Sequence, residues 1–391
     1  MGLMTEDNKS VRYDIFLIAI IVFLTFLGLV TLYSASYLFA SNQPTRFASG
    51  FEPVVKNIFI CIAMLVVFPF LAMIKLDFFI KWKLIIVLLV GTVVLNIFPF
   101  FPVFRKENFN PQTDAMRWIY IYGISFQPSE LIKFVLPVYS AYILTKNKDR
   151  LDTFVRGPLP LAIWTAIFCI LVLFQNNFSE AVLIVLTSFT ICFLAGIGLQ
   201  WFVVGFIAVV SAGVLLIVSD STGYRLQRLI NFGQHEADPT GMGFQITNSL
   251  EAIRAGGFWG KGIGQGSMKI SVPEVHGDFI FASYAEESGF LGVLLYFIII
   301  GAFTAICYYV AWKNKNMHHR LLALGLVTPI IIQTIMNIAV VTNIIPTTGV
   351  TLPFFSAGGS SLLITLASSA LLVNITRRHI LSNNTERNYD G

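Results

Sequence analysis

A chain of 391 residues that is 56% apolar and 12% charged, with a mean hydropathy of +0.75, lies far from the balance of a water-soluble domain and reads as an integral membrane protein. Its formal charge of +5 is small for that length and its basic residues are dispersed rather than striped, which argues against nucleic acid as a partner. All four cysteines, Cys61, Cys169, Cys192 and Cys307, fall inside apolar runs, so neither a disulfide framework nor a thiolate metal site is suggested.

The first apolar run, 15–37, follows a short polar N-terminus and is too long for the h-region of a cleaved signal peptide, so it reads as a retained span. Further runs near the length of roughly 20 residues that crosses the hydrocarbon core follow at 54–74, 84–104, 126–144, 159–175, 179–198, 201–218, 281–312, 321–342 and 359–376. The expectation is an all-α, polytopic protein of about ten transmembrane helices, one integral membrane domain over 1–391, with a large loop at 219–280 between spans seven and eight. No repeat of 20 to 50 residues and no inverted repeat is visible, which lowers a transporter reading.

Short cytoplasmic loops carry the excess of Lys and Arg. With the N-terminus inside, Lys9, Arg12, Lys75, Lys81, Lys83, Lys146, Lys148, Arg150, Arg156, Lys313, Lys315, Arg320, Arg377, Arg378 and Arg387 all fall on the cytoplasmic side. The opposite short connections hold only Arg46, Lys56, Arg105, Lys106 and Arg117. Both termini are therefore expected in the cytoplasm and the 219–280 loop outside.

That loop concentrates the candidate chemistry. Asp278 stands where it meets span eight; partial burial there would raise the basicity of its carboxylate, as a general base requires, and the alternative is that Asp278 caps the next helix. Glu286 and Glu287 follow two turns on and either face an interior or stay in the headgroup region. Glu130 and Lys133, spaced i, i+3, allow an ion pair on one face of span four, a functional pair or a packing device. Arg117 beside Trp118 could hold an anionic headgroup at the membrane surface, where Trp is enriched in any case. The glycines from Gly256 to Gly266 lack the strand-to-helix setting of a phosphate loop and read as tight turns after a short amphipathic helix at 245–255. Arg225, Arg228, Arg254, Lys261 and Lys269 supply the loop with cations.

Six blocks then carry a resemblance over nearly the whole chain. They are Tyr33-Ser34-Ala35-Ser36; Arg117-Trp118 leading to Phe126-Gln127-Pro128-Ser129-Glu130-Leu131-Ile132-Lys133; Tyr224-Arg225 with Arg228-Leu229; Asp238 through Gln245; Asp278-Phe279-Ile280-Phe281-Ala282 with Ala285-Glu286-Glu287; and Leu352 through Ser361. The chain resembles the SEDS (FtsW/RodA/SpoVE) family of bacterial membrane glycosyltransferases. The resemblance implies polymerisation of lipid II into glycan strands at the outer face of the cytoplasmic membrane, with Asp278 as the required acid of its block. It also implies a substrate site among Arg117, Trp118, Glu130, Lys133, Arg225, Arg228, Gln245, Arg254, Glu286, Ser356 and Ser360. Cations, or a divalent ion such as Mg2+, would steady the departing polyprenyl diphosphate, though no metal ligands are assigned. Expected partners are a class B penicillin-binding transpeptidase, divisome proteins and membrane lipid. Gly277, Asn177 and Ala357 depart from the family's usual Thr, Asp and aromatic residue, and Asn177 withholds the acid of its turn. Ile345 through Gly349 and Ser249 through Ile253 look closer to the division-type members, FtsW and SpoVE, than to RodA, which points to the septum. A lipid II flippase, an elongation-type polymerase and a scaffold for a transpeptidase remain the alternatives.

Overall fold

The computed structural model describes residues 12–42, 51–105, 116–121, 124–218, 242–267 and 275–390. Among them lie eleven α-helices: α1 (Tyr13–Asn42), α2 (Glu52–Met73), α3 (Trp82–Ile97), α4 (Ile132–Lys146), α5 (Pro158–Phe174), α6 (Phe178–Leu194), α7 (Leu199–Val218), α8 (Met242–Gly256), α9 (Ile280–Lys313), α10 (Met317–Val341) and α11 (Gly359–Asp390). Ten coincide with the ten expected spans, and α8 is the amphipathic helix expected at 245–255. Six, namely α1, α2, α3 with the 3-10 turn after it, α9, α10 and α11, are long and apolar enough to cross a membrane.

Helix α11 runs on to Asp390, past the expected end at 376, and α1 to Asn42, past 37; two further boundaries differ for local reasons. Helix α4 starts at Ile132 instead of 126, because Ile124–Phe126 is strand β2, paired antiparallel with β1 (Ile119–Ile121), and Pro128 then opens a 3-10 turn over Pro128–Leu131. Helix α3 stops at Ile97 instead of reaching 104. Pro99 and Pro102 have no N–H to continue the ladder and each opens a short 3-10 turn.

Helices α10 and α11 form the buried centre, whereas α2, α3 and α9 turn much of their surface outward. Helix α10 packs on α4, α6, α9 and α11; α11 also packs along α2 and α1. Gly325 of α10 lies against Pro137 of α4, so the two helices approach closely. Some hydroxyls in these spans are satisfied within their own helix, which suits the low-polarity setting: Ser140 Oγ donates to Leu136 O (2.6 Å) and Thr328 Oγ1 to Leu324 O (2.6 Å). Helix α7 is held at its beginning, where Trp201 Nε1 donates to Asp152 O (3.0 Å) and Phe202 meets the edges of Phe189 and Phe193.

Helix α9 is interrupted at Gly289, whose φ of 63° and ψ of −166° belong to a region open essentially to glycine alone. The loop after α8 enters this gap. Lys261 N and Gly262 N donate to Glu286 O and Glu287 O (both 3.0 Å), and Phe290 N donates to Gly257 O (2.9 Å). The glycines after α8 are therefore turn residues, as read from the sequence. A Cβ built on Gly289 would lie 2.2 Å from Gly260 N, which shows how closely the two backbones cross.

Candidate active site

Asp278 stands two residues before α9, half-buried, and Phe279 occupies the N-cap position. Three consecutive carbonyls hold the segment in place: His276 O accepts from Ala357 N (2.8 Å), Gly277 O from Ser356 Oγ (2.6 Å) and Asp278 O from Asn337 Nδ2 (2.7 Å). The backbone under the carboxylate is thus fixed by α10 and by the loop before α11.

Arg117 reaches the same place from the turn before β1. Its Nη2 donates to Asn176 O (2.6 Å), at the α5–α6 turn where Asn176 takes a φ of 57°. Its Nη1 and Asp278 Oδ2 lie 3.8 Å and 3.9 Å from the point a Cβ would occupy on Gly349, which is itself exposed. A guanidinium and a carboxylate thus face one solvent-open slot floored by a glycine. Trp118, next to Arg117, is half-buried. Such a pair suits a reaction in which one group takes a proton while a neighbouring oxygen gathers negative charge.

The other expected site residues fall into different settings. Glu130 and Lys133 do form the ion pair, at 2.5 Å, deep in the bundle. Lys133 Nζ also lies 3.8 Å from Glu180 and donates to Gln333 Oε1 (2.9 Å), so one ammonium ties the 3-10 turn, α4, α6 and α10 together. Glu286 is fully buried and paired with Lys261 at 2.8 Å, and Glu287 Oε1 accepts from Gly264 N (2.9 Å) and Ser34 Oγ (2.5 Å). Both acids lie inside α9 and hold the glycine loop to it, which places Glu286 away from the slot. Ser356 Oγ, besides donating to Gly277 O, accepts from Leu352 N (2.7 Å), and Ser360 Oγ accepts from Gln127 N (2.9 Å). Both serines are buried connectors between segments. Gln245 is half-buried on α8 and Arg254 exposed near its end; Arg225 and Arg228 lie outside the described residues.

Sequence reasoning passed over Glu180, Gln333, Asn337 and Gly349 as site residues. The signal for Gln333 and Asn337 was an amide pair one turn apart inside an apolar span, on one helix face. Gly349 was marked in the sequence only as the end of the Ile345–Gly349 run that looks closer to the division-type members, not as a site residue. Among the described residues no three His, Cys, Asp or Glu side chains converge as a metal group. Mg2+ bound through substrate phosphates needs only one or two carboxylates, and the carboxylate present at the slot is that of Asp278.

The chain matches the family model described as the FtsW/RodA/SpoVE cell cycle protein over residues 15–380. It is 33% identical over 370 residues to a probable peptidoglycan glycosyltransferase FtsW of Geobacter sp. strain M18, covering 94% of this chain and 97% of that one. A protein of the same name from Trichlorobacter lovleyi is 34% identical over 384 residues, with 96% of each chain covered. In structure the chain is similar, at a TM-score of 0.73 and 23% identity, to a chain of a peptidoglycan synthase complex solved for the coordination of polymerisation and crosslinking; the match covers 93% of this chain and 97% of that one.

Proposed function

Because the chain belongs to the FtsW/RodA/SpoVE family, we propose that it is a peptidoglycan glycosyltransferase that polymerises lipid II at the outer face of the cytoplasmic membrane. The observation that carries this reading is that Arg117 Nη1 and Asp278 Oδ2 both come close to the exposed Gly349. Asp278 takes the proton from the acceptor sugar hydroxyl as its oxygen bonds to the donor's anomeric carbon. The bond from that carbon to the diphosphate breaks, and polyprenyl diphosphate leaves with the electron pair. Arg117 holds the charge that gathers on it. A second carboxylate of the glycosidase kind is not required, because the donor is already activated by diphosphate. Lys133 is engaged by three acceptors inside the bundle, so Arg117 and the exposed Arg254 are the described cations best suited to the diphosphate.

The single domain has both termini in the cytoplasm and the 219–280 loop outside. We place it in septal wall synthesis with a class B penicillin-binding transpeptidase and divisome proteins, a reading that rests on the division-type sequence features and on its likeness to a chain of a polymerising and crosslinking complex. The test is purified protein given lipid II in detergent. Glycan strands on a gel support the enzyme; translocation across vesicles without product means a flippase, and neither result means a scaffold. Depletion in cells should give filaments with unfinished septa; rounded cells would place the protein in elongation instead.

A further inference from the structure

The carbonyl of Asp278 accepts from a side chain in the last turns of α10, one of the two helices at the centre of the bundle. Asn337 of α10 is 1% exposed and uses its Nδ2 twice, donating to Asp278 O and to Val350 O, each at 2.7 Å. Its Oδ1 is buried with no hydrogen-bond partner. The amide cannot be turned over, because Oδ1 would then oppose two carbonyl oxygens. A leucine or methionine would fill a similar volume without stranding a buried acceptor, so what the amide contributes here is its two bonds. Val350 directly follows Gly349, whose Cα floors the slot. The same side chain therefore ties the residue bearing the carboxylate to the residue next to that floor.

We propose that Asn337 is a positioning residue for glycan transfer, strapping the backbone of Asp278 to that of Val350 and so setting the carboxylate at its distance from Arg117. The proposal rests on the reading of Asp278 as general base. Loss of the strap leaves the carboxylate and both substrate-facing cations present but lets the 276–279 segment shift. A misplacement near 1 Å costs on the order of 100-fold in rate.

Asn374 provides a control with one bond more, since its Oδ1 also accepts from Arg378 Nε (2.9 Å). It is 2% exposed, and its Nδ2 also donates to two carbonyls, Leu71 O (2.9 Å) and Ile74 O (2.8 Å), in the turn where α2 ends. Full-length protein carrying Asn337→Ala or Asn374→Ala should lose thermal stability to a similar degree. With lipid II as substrate, Asn337→Ala should drop kcat by about 100-fold with KM unchanged, while Asn374→Ala stays near wild type. Added to Asp278→Asn, the Asn337→Ala change should remove nothing more, because it acts through that carboxylate. Hydrogen exchange gives a readout independent of activity: amides of 276–282 should exchange faster in Asn337→Ala and not in Asn374→Ala. Equal loss of turnover in the two variants, additivity with Asp278→Asn, or unchanged exchange at 276–282 would each overturn the proposal. Faster exchange in a protein whose wild type makes no glycan would instead overturn the function it rests on.

Discussion

Asp278→Asn separates a base from a packing residue because the amide keeps the shape and the backbone strap from Asn337 while losing the ability to take a proton. The variant should fold and still bind lipid II, with polymerisation lowered by roughly 100-fold to 10,000-fold; near-normal glycan synthesis on the same gel assay would end the assignment. Gly349 gives a second test from the opposite direction. Neither neighbour of its would-be Cβ is closer than 3.8 Å and no positive φ is recorded for it, so Gly349→Val should leave the unfolding temperature nearly unchanged. Its branches would crowd both Arg117 and Asp278, and turnover should fall steeply; a Val variant as active as wild type would place the reaction elsewhere. Asp278 was legible in the sequence because a carboxylate at the edge of an apolar span is costly and therefore conspicuous. Its arrangement with Arg117 was not, since three segments far apart in the chain meet there and spacing records only local neighbours.

At the level of elements, apolar run length marked the helices well and their ends poorly. The run 126–144 opens on Gln127, Ser129 and Glu130 around a 3-10 turn, so a span drawn to membrane length began before α4 does, although these polar residues and Pro128 pointed to a break. The interruption of α9 was hidden for a related reason, because one glycine in a long apolar helix reads as a tolerated residue until another backbone is seen crossing it. Gly289→Ala tests that crossing. The new methyl would meet the backbone at Gly260 and the residue would be held in a conformation costing about 1–3 kcal/mol for any other side chain. The expected outcome is a lower unfolding temperature in detergent and faster proteolysis within 256–266; an unchanged cleavage pattern would mean that the loop does not depend on the gap.

Across the whole molecule, charge placement predicts the sides, and the buried ions hold helices together. A reporter active only in the cytoplasm should work when fused after Lys148 or at Gly391 and be silent near Gly262; activity at Gly262 would invert the topology. At the end expected inside, Lys146 lies over Trp82 and Tyr142, Lys313 over Tyr309 and Arg320 over Trp312, the aromatic-and-cation rim usual where a bundle meets headgroups. Lys133→Met leaves Glu130 and Glu180 without their cation and should cost about 3–5 kcal/mol, whereas replacing all three with apolar residues of similar volume should recover much of that loss. Recovery of stability without recovery of glycan synthesis would show that the cluster serves more than packing. Because Lys261 N, Gly262 N and Gly264 N each meet a fixed partner on α9, the stretch from Gly256 to Gly264 works as a measured spacer, limited in length more strictly than in composition. Trp259 and Ile263, 78% and 70% exposed, are free to change identity, yet a single serine inserted after Gly262 would move Gly264 out of register with Glu287. Among relatives this stretch should hold its count and its glycines while varying at positions such as Trp259 and Ile263.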